Sequence, residues 1–330
     1  MVREAVGEAP QYERLRVALG DSSTQIASTI KESLHERGIG EVVLCDSTER
    51  LYNALDREIV DLLLYDYHML GSDFVEVMQR IRRKEVGKNP FLTIVATIRD
   101  SKAETVQRLI SAGVDDLIRM PISIDRVFES IGNSARRRRP FVVTYEYTGP
   151  MRPVAKSNKV VEKGIKVPNT LKSRAFDGVD EEAVRVLVEK AVADMVGQQL
   201  KTCGVEIDTL AKRVADSYAS IDGSDRNIAM RGNLGRMAVA AQNLKNRASG
   251  TPAAKVSDLA ATLIPITQRI LEAPTGRAAV EVQLLSQLAA AVRCALSIEP
   301  DADPALQEIT DTVGNFARRN APVEPAHSAA

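Results

Sequence analysis

The chain is 330 residues long, 44% hydrophobic and 27% charged, the make-up of a soluble globular protein with room for about two cored domains. Its 44 basic residues are matched by 44 acidic ones, so no net field draws it to nucleic acid or to an acidic membrane. Cys45, Cys203 and Cys294 lie too far apart for a paired metal or disulfide spacing, and no run of about 18 consecutive apolar residues occurs, so a cytoplasmic, reducing location is expected.

Up to about residue 140, short apolar runs rich in β-branched residues alternate with amphipathic stretches. They read "RVAL", "TQIASTIKESLHER", "EVVLC", "TERLYNAL", "VDLLLY", "FVEVMQRIRR", "FLTIVAT", "AETVQRLISAG", "DDLIRM" and "SIDRVFESIGNSARR". Strands separated by helix-length connections pair in parallel with right-handed crossovers. The expected fold over 14–140 is therefore an α/β doubly wound parallel five-stranded sheet. Such sheets gather their functional groups beyond the carboxyl ends of the strands. Asp21 after "RVAL", Asp66 after "VDLLLY" and Thr97 at the end of "FLTIVAT" all fall at that edge.

Residues 141–178 lose the alternation and are rich in Pro, Gly, Asn and Lys, which reads as a linker with an extended patch at "FVVTYEY". From Asp180, placed to cap the first helix, the period turns helical. Val184, Leu187, Val188, Ala191, Val192, Met195 and Val196 form one apolar face, and the spacing returns through Leu210–Ile221, Leu234–Leu244, Val256–Ile270, Val280–Ala295 and Leu306–Phe316. Thr251-Pro252 and Asp303-Pro304 read as cap and first turn, and Pro265 as a kink. A separate all-α helical bundle domain is expected over 179–320, followed by a disordered tail at 321–330.

With strands and crevice placed, residues 16–137 resemble the receiver domain of bacterial two-component response regulators, flavodoxin-like in fold and typified by the chemotaxis regulator. "DLLLYDYHMLGSDFVEVMQRIRR" is similar to the receiver's third strand, phosphoacceptor loop and third helix, and "AGVDDLIRMPIS" to its fifth strand and the loop beyond. Pro121 matches a proline that in the family often follows a cis bond. The resemblance implies that Asp66 accepts a phosphoryl group from a histidine kinase or phosphotransfer protein. It also implies that Mg²⁺ is held by Asp21, Asp66 and the backbone carbonyl of His68, and that Thr97 is the switch hydroxyl, one residue off the usual count to "SAG". Three positions depart from the pattern. Gly20 replaces the second acidic residue, Met120 the phosphoryl-binding lysine, and Leu117 the aromatic of strand five. Arg119 neighbours Met120 but points to the other face of its strand.

The helical half constrains the output. After residue 171 basic and acidic side chains stay near parity, without the basic footprint of a DNA-reading helix, and the basic run "ARRRRP" at 135–140 reads as a solvated helix end rather than a nucleic-acid grip. The single histidine after His68 is His327 in the tail, which argues against a phosphotransfer bundle. "MRGNLGRM" suggests close helix approach rather than a phosphate loop, which would follow a strand. No catalytic constellation appears, so the chain is not expected to be an enzyme. What remains for the helical domain is binding a protein partner or self-association as a homodimer, and with the receiver resemblance the expected protein is an atypical response regulator. The alternative is a phosphorylation-independent pseudo-receiver scaffold.

Overall fold

A computed structural model describes residues 9–69, 71, 73–145, 147–152, 164–219, 223–251, 253–272 and 278–297. The chain forms two compact units, Met1–Met195 and Val196–Ala330.

The first unit is built on five strands: β1 (Arg16–Gly20), β2 (Glu41–Cys45), β3 (Leu62–Asp66), β4 (Thr93–Ile98) and β5 (Asp116–Arg119). They pair in parallel in the order β2-β1-β3-β4-β5, the flavodoxin-like arrangement. Every residue of β3 and β4 is buried, as expected for central strands covered on both faces. The edge strand β2 alternates instead, with Glu41 and Val43 outward.

The crossover helices are α1 (Thr24–Glu36), α2 (Thr48–Arg57), α3 (Phe74–Arg82), α4 (Ala103–Ala112) and α5 (Ile124–Arg136). Ser23, Ser47 and Asp73 cap α1, α2 and α3, each accepting a first-turn amide. Gly113, at φ 94°, ends α4 in the left-handed conformation that glycine adopts without strain. Alternate strand residues then feed two apolar layers. Leu63, Tyr65, Ile94 and Ala96 pack with α2, α3 and α4, and Leu62, Leu64, Val95 and Ile118 with α1 and α5.

The stretch expected as a linker over 141–178 carries packed structure. Strands β6 (Phe141–Val143) and β7 (Thr148–Pro150) form an antiparallel hairpin, and helix α6 (Thr170–Ala175) sets Leu171 and Ala175 into the α1/α5 layer. Helix α7 (Glu181–Ala219) begins as its acidic cap predicts, Asp180 Oδ1 accepting the Ala183 amide at 2.8 Å. Val184 and Val188 pack on Ile59, and Met195 joins Phe91 and Phe141. Leu187, counted above on the apolar face, is exposed. Residues 153–163 of the expected linker lie outside the described residues.

Charge explains why the hairpin stays down. Arg82 is fully buried and donates to the carbonyls of Gly113, Pro90 and Leu92 and to Asp115 Oδ2 at 2.7 Å. Arg138 reaches Asp115 Oδ1 at 3.0 Å and the Phe91 carbonyl, and both guanidinium groups lie about 5 Å from the Phe141 ring. The expectation that "ARRRRP" is simply solvated is therefore corrected. Arg136 and Arg137 are exposed, but the Arg138 side chain is 9% exposed and clamps a buried carboxylate. A similar pair ties α6 to the sheet, where Arg174 Nε lies 3.5 Å from Asp61 Oδ1.

In the second unit α9 (Ala254–Glu272) packs with α8 (Gly223–Ala248) and α10 (Ala278–Ser297), and the C-terminal part of α7 lies against α8 and α10. Gly204 permits this, since a Cβ there would sit 2.7 Å from Leu296 Cδ1. Ion pairs bridge the helices: Glu206–Arg236, Asp208–Arg293 and Arg269–Glu281. Among the described residues nothing approaches Gly232 or Gly235 within 4 Å, so "MRGNLGRM" shows no close helix approach there. Helix α10 has the length and mean hydropathy, 1.3, to cross a membrane, yet Arg293 and Glu281 pair with neighbouring helices, which suits a bundle helix. Helix α9 continues through Pro265. Pro252, Ile221, Asp303-Pro304, the 306–316 helix, the tail and His327 lie outside the described residues.

Candidate functional site

The carboxyl edge of the sheet brings the predicted residues together. The pairing of Gly20 with Tyr65 puts Asp21 and Asp66 at the same edge on adjacent strands, and Asp66 pairs in register with Thr97. In-register residues on neighbouring strands lie about 5 Å apart, so Thr97 stands beside Asp66 on β4. All three are nearly sealed from solvent: Asp21 is 4%, Asp66 2% and Thr97 3% exposed.

The loops explain how charged groups survive there. Asp21 Oδ1 accepts the Ser23 amide at 2.8 Å as α1 begins, and Asp66 Oδ1 accepts the His68 amide at 3.2 Å in the turn after β3. Burial pushes the Asp21 carboxyl above the usual carboxylate range. The Ser23 amide draws it back, the neighbouring Asp66 charge adds to the rise, and Arg99 opposes it. The Asp66 carboxylate is also paired, its Oδ2 lying 3.2 Å from Arg99 Nη2. His68 is exposed and its ring stacks edge-on against Tyr67, so the residue meets the site through its backbone.

Two mutually repelling carboxylates at adjacent strand ends suit a hard dication. Mg²⁺ commonly takes one or two carboxylates and completes its shell with water and phosphate oxygens. Asp21 and Asp66 fit that donor set, while among the described residues no cluster of three or more His, Cys, Asp or Glu is present.

One of the three departures has a structural cause. A Cβ on Gly20 would lie 2.4 Å from Cδ2 of the buried Tyr65 ring, so no second acidic side chain can stand there without displacing Tyr65. Gly20→Ala is accordingly expected to destabilise the unit by about 1–3 kcal/mol, the usual range for overpacking, read as a lower urea midpoint of the tyrosine near-UV signal. Full wild-type stability in that variant would mean that the ring moves freely. Met120 donates its amide to the Ile98 carbonyl, and the Met120–Pro121 bond is cis. Leu117 is half-buried against the α2/α3/α4 layer, and Arg119 is exposed.

Arg99 was not among the residues singled out from the sequence. It follows β4 in a polar stretch, and no periodicity distinguishes it from other loop arginines. Cys45 and Cys203 are buried and Cys294 is exposed; the Cys45 carbonyl accepts the Asp21 amide at 3.2 Å. Burial, helped by Asp46, pushes the Cys45 thiol up to about 11.

The sequence profile of the response regulator receiver domain matches residues 17–132. The chain is 30% identical over 123 residues to the sensor protein GacS of Pseudomonas syringae pv. syringae, a match covering 37% of this chain and 14% of that protein. Among solved structures, a CheY-like receiver from Methanospirillum hungatei JF-1 is similar at 19% identity and TM-score 0.33, over 36% of this chain and 92% of that one. A receiver protein from Pseudomonas putida is similar at 23% identity and TM-score 0.32, over 36% and 97%.

Proposed function

Because residues 17–132 are a response regulator receiver domain, we propose that the chain acts in two-component signalling by accepting a phosphoryl group on Asp66. The donor is a histidine kinase or phosphotransfer protein, a reading to which the resemblance to a sensor protein adds support. The observation that carries the proposal is the sealed edge at which Asp21, Asp66 and Thr97 meet.

In this reading a carboxylate oxygen of Asp66 attacks the donor phosphorus. The new O–P bond forms as the bond to the leaving group breaks, and the electron pair departs with that group. Asp21, Asp66 and the His68 carbonyl would hold Mg²⁺, which when bound neutralises charge on the phosphoryl oxygens. Thr97, paired with Asp66 across β3 and β4, would donate its hydroxyl to the modified Asp66. The added charge, about −1.5 to −2 by analogy with other phosphorylated side chains, alters the surface around β4 and β5. The helical region then responds through protein contacts, by binding a partner or by self-association. We read the protein as cytoplasmic, without nucleic-acid or membrane ligands and without an enzymatic output.

Loss of the lysine bears on how complete the switch is. One hydrogen bond to a charged group contributes roughly 1.5–3 kcal/mol, whereas moving a two-state equilibrium from about 1:99 to 99:1 takes about 5.5 kcal/mol. With Met120 in the lysine position and Leu117 in the aromatic one, phosphorylation biases the equilibrium without driving it fully. Tyr65 against Gly20 favours the second reading, a pseudo-receiver scaffold that keeps the shape of the site without its use.

Incubation with acetyl phosphate and Mg²⁺, followed by intact-mass measurement, separates the two. The expected result is a hydroxylamine-labile adduct of one phosphoryl group, abolished in Asp66→Asn, with a change in oligomeric state by light scattering. Failure of the wild type to form the adduct would leave the scaffold reading.

A further inference from the structure

Asp66 is held on both oxygens, by the His68 amide on Oδ1 and by the Arg99 guanidinium on Oδ2. The second contact has no place in the chemistry above. Arg99 follows β4, the strand paired with β3, two residues beyond Thr97. Its side chain is 53% exposed while the carboxylate it grips is 1% exposed, so the head group reaches into the edge from solvent on a stem that is free to follow a growing ligand. At the far side of the crevice Met120 carries no charge, and Arg119 is exposed in register with Ile98. The guanidinium is planar and presents parallel N–H donors that match carboxylate and phosphate oxygens alike.

We propose that Arg99 is the phosphoryl-binding cation of this site, supplying from the β4 loop the positive charge that position 120 lacks. The inference rests on the phosphoacceptor reading. In the resting protein Arg99 satisfies the Asp66 carboxylate. As Asp66 attacks an acyl phosphate, the bond from phosphorus to the acyl oxygen breaks and the carboxylic acid leaves as its anion with the bonding pair. Arg99 then transfers its donors from Oδ2 to the phosphoryl oxygens. No proton changes hands, and the guanidinium stays charged throughout.

This arrangement makes Arg99 act in opposite directions on two measurable events. A cation on Asp66 opposes a second cation, so it weakens Mg²⁺ binding to the resting protein, while it strengthens the phosphorylated form. A residue that merely braced the loop would move both together.

The test uses the full chain as wild type, Arg99→Gln, Arg99→Lys and Asp66→Asn. Mg²⁺ is titrated against tyrosine fluorescence, to which Tyr67 next to Asp66 contributes, and adduct formation with acetyl phosphate is followed by intact mass. Arg99→Gln is expected to bind Mg²⁺ several-fold more tightly and to form the adduct about 10–100-fold more slowly, the loss of one charge-assisted hydrogen bond. Arg99→Lys is expected to restore the wild-type Mg²⁺ affinity and part of the rate. An adduct rate in Arg99→Gln equal to wild type overturns the role of Arg99 and leaves the phosphoacceptor reading standing. Absence of any adduct in the wild type overturns both. Weaker Mg²⁺ binding and a slower rate together would mark Arg99 as structural only and overturn the proposal.

Discussion

Asp115→Ala is expected to destabilise the N-terminal unit by about 3–5 kcal/mol, the cost of leaving buried charge unpaired. Asp115 is 8% exposed and stands between Arg82 and Arg138, accepting from both guanidinium groups and from the Ile94 amide. Its removal leaves two cations beside the same Phe141 ring, with their carbonyl partners intact but their counter-charge gone. The backbone that Arg82 gathers comes from two loops, the β4 entry and the α4 end, and its guanidinium also lies by the Phe141 ring of the hairpin, so the loss is felt by all three.

The same cluster predicts a pH dependence. Burial alone would raise the Asp115 carboxyl, but Arg138 and Arg82 outweigh it and the net displacement is downward. A carboxyl lowered on folding contributes stability that is present above its unfolded value, about 3.9, and is lost as pH falls through the folded value. The gap between wild type and Asp115→Ala is therefore expected to be full at pH 7 and to close below about pH 4. Six of the seven tyrosines precede residue 150, so the near-UV tyrosine signal in a urea titration reports this unit. A gap under about 1 kcal/mol, or one that ignores acid, would show that the two arginines are satisfied without Asp115.

Arg174→Met carries the second large effect, also about 3–5 kcal/mol at neutral pH. Asp61 is fully buried at the start of β3, where it accepts the Arg16 amide at 3.0 Å. Desolvation pushes its carboxyl up to about 6, with Arg174 the largest influence pulling it back. A carboxyl raised on folding stabilises the folded state below its unfolded value, about 3.9, and that advantage disappears as pH climbs through the folded value. Wild type is thus expected to lose stability between about pH 4 and 6. Without Arg174 the folded value rises further and the loss extends to higher pH, so variant and wild type differ little at pH 5 and most above pH 7. Asp61→Asn combined with Arg174→Met should recover much of the loss, because the pair is coupled. A pH-independent deficit that the double variant does not relieve would assign the effect to lost packing of α6 alone.

Neither cluster was legible in the sequence, and the reason is the same for both. "ARRRRP" announces a helix end, and nothing in its pattern tells Arg138 from Arg136 or Arg137. The inward turn of Arg138 depends on Asp115, 23 residues away, and on the hairpin that covers them. The segment 141–178 looked like a linker because Pro and Gly punctuate it, yet those residues shape a hairpin and a helix entry that pack on the sheet. Helical phase was misjudged in places, as with Leu187 and Val280, both exposed, because an apolar stripe shows that a helix has a face but not where its neighbours stop.

The edge of the sheet was legible by contrast. A buried parallel strand must end where the backbone reaches water, so a carboxylate directly after an apolar run marks the crevice. Asp21 and Asp66 could be placed on that rule alone. Why Gly20 is not acidic could not be, since it rests on the ring of Tyr65, a residue of the neighbouring strand.

By itself the sequence determined the order and type of the elements, the parallel sheet and the carboxyl edge where the candidate site lies, because apolar period and caps act over a few neighbouring residues. Tertiary structure alone decided which charges are buried, that Arg99 grips Asp66 and that Arg82 and Arg138 share Asp115. Desolvation and ion pairing depend on groups brought together from distant parts of the chain, such as Arg82 and Asp115, 33 residues apart, and no local pattern records them.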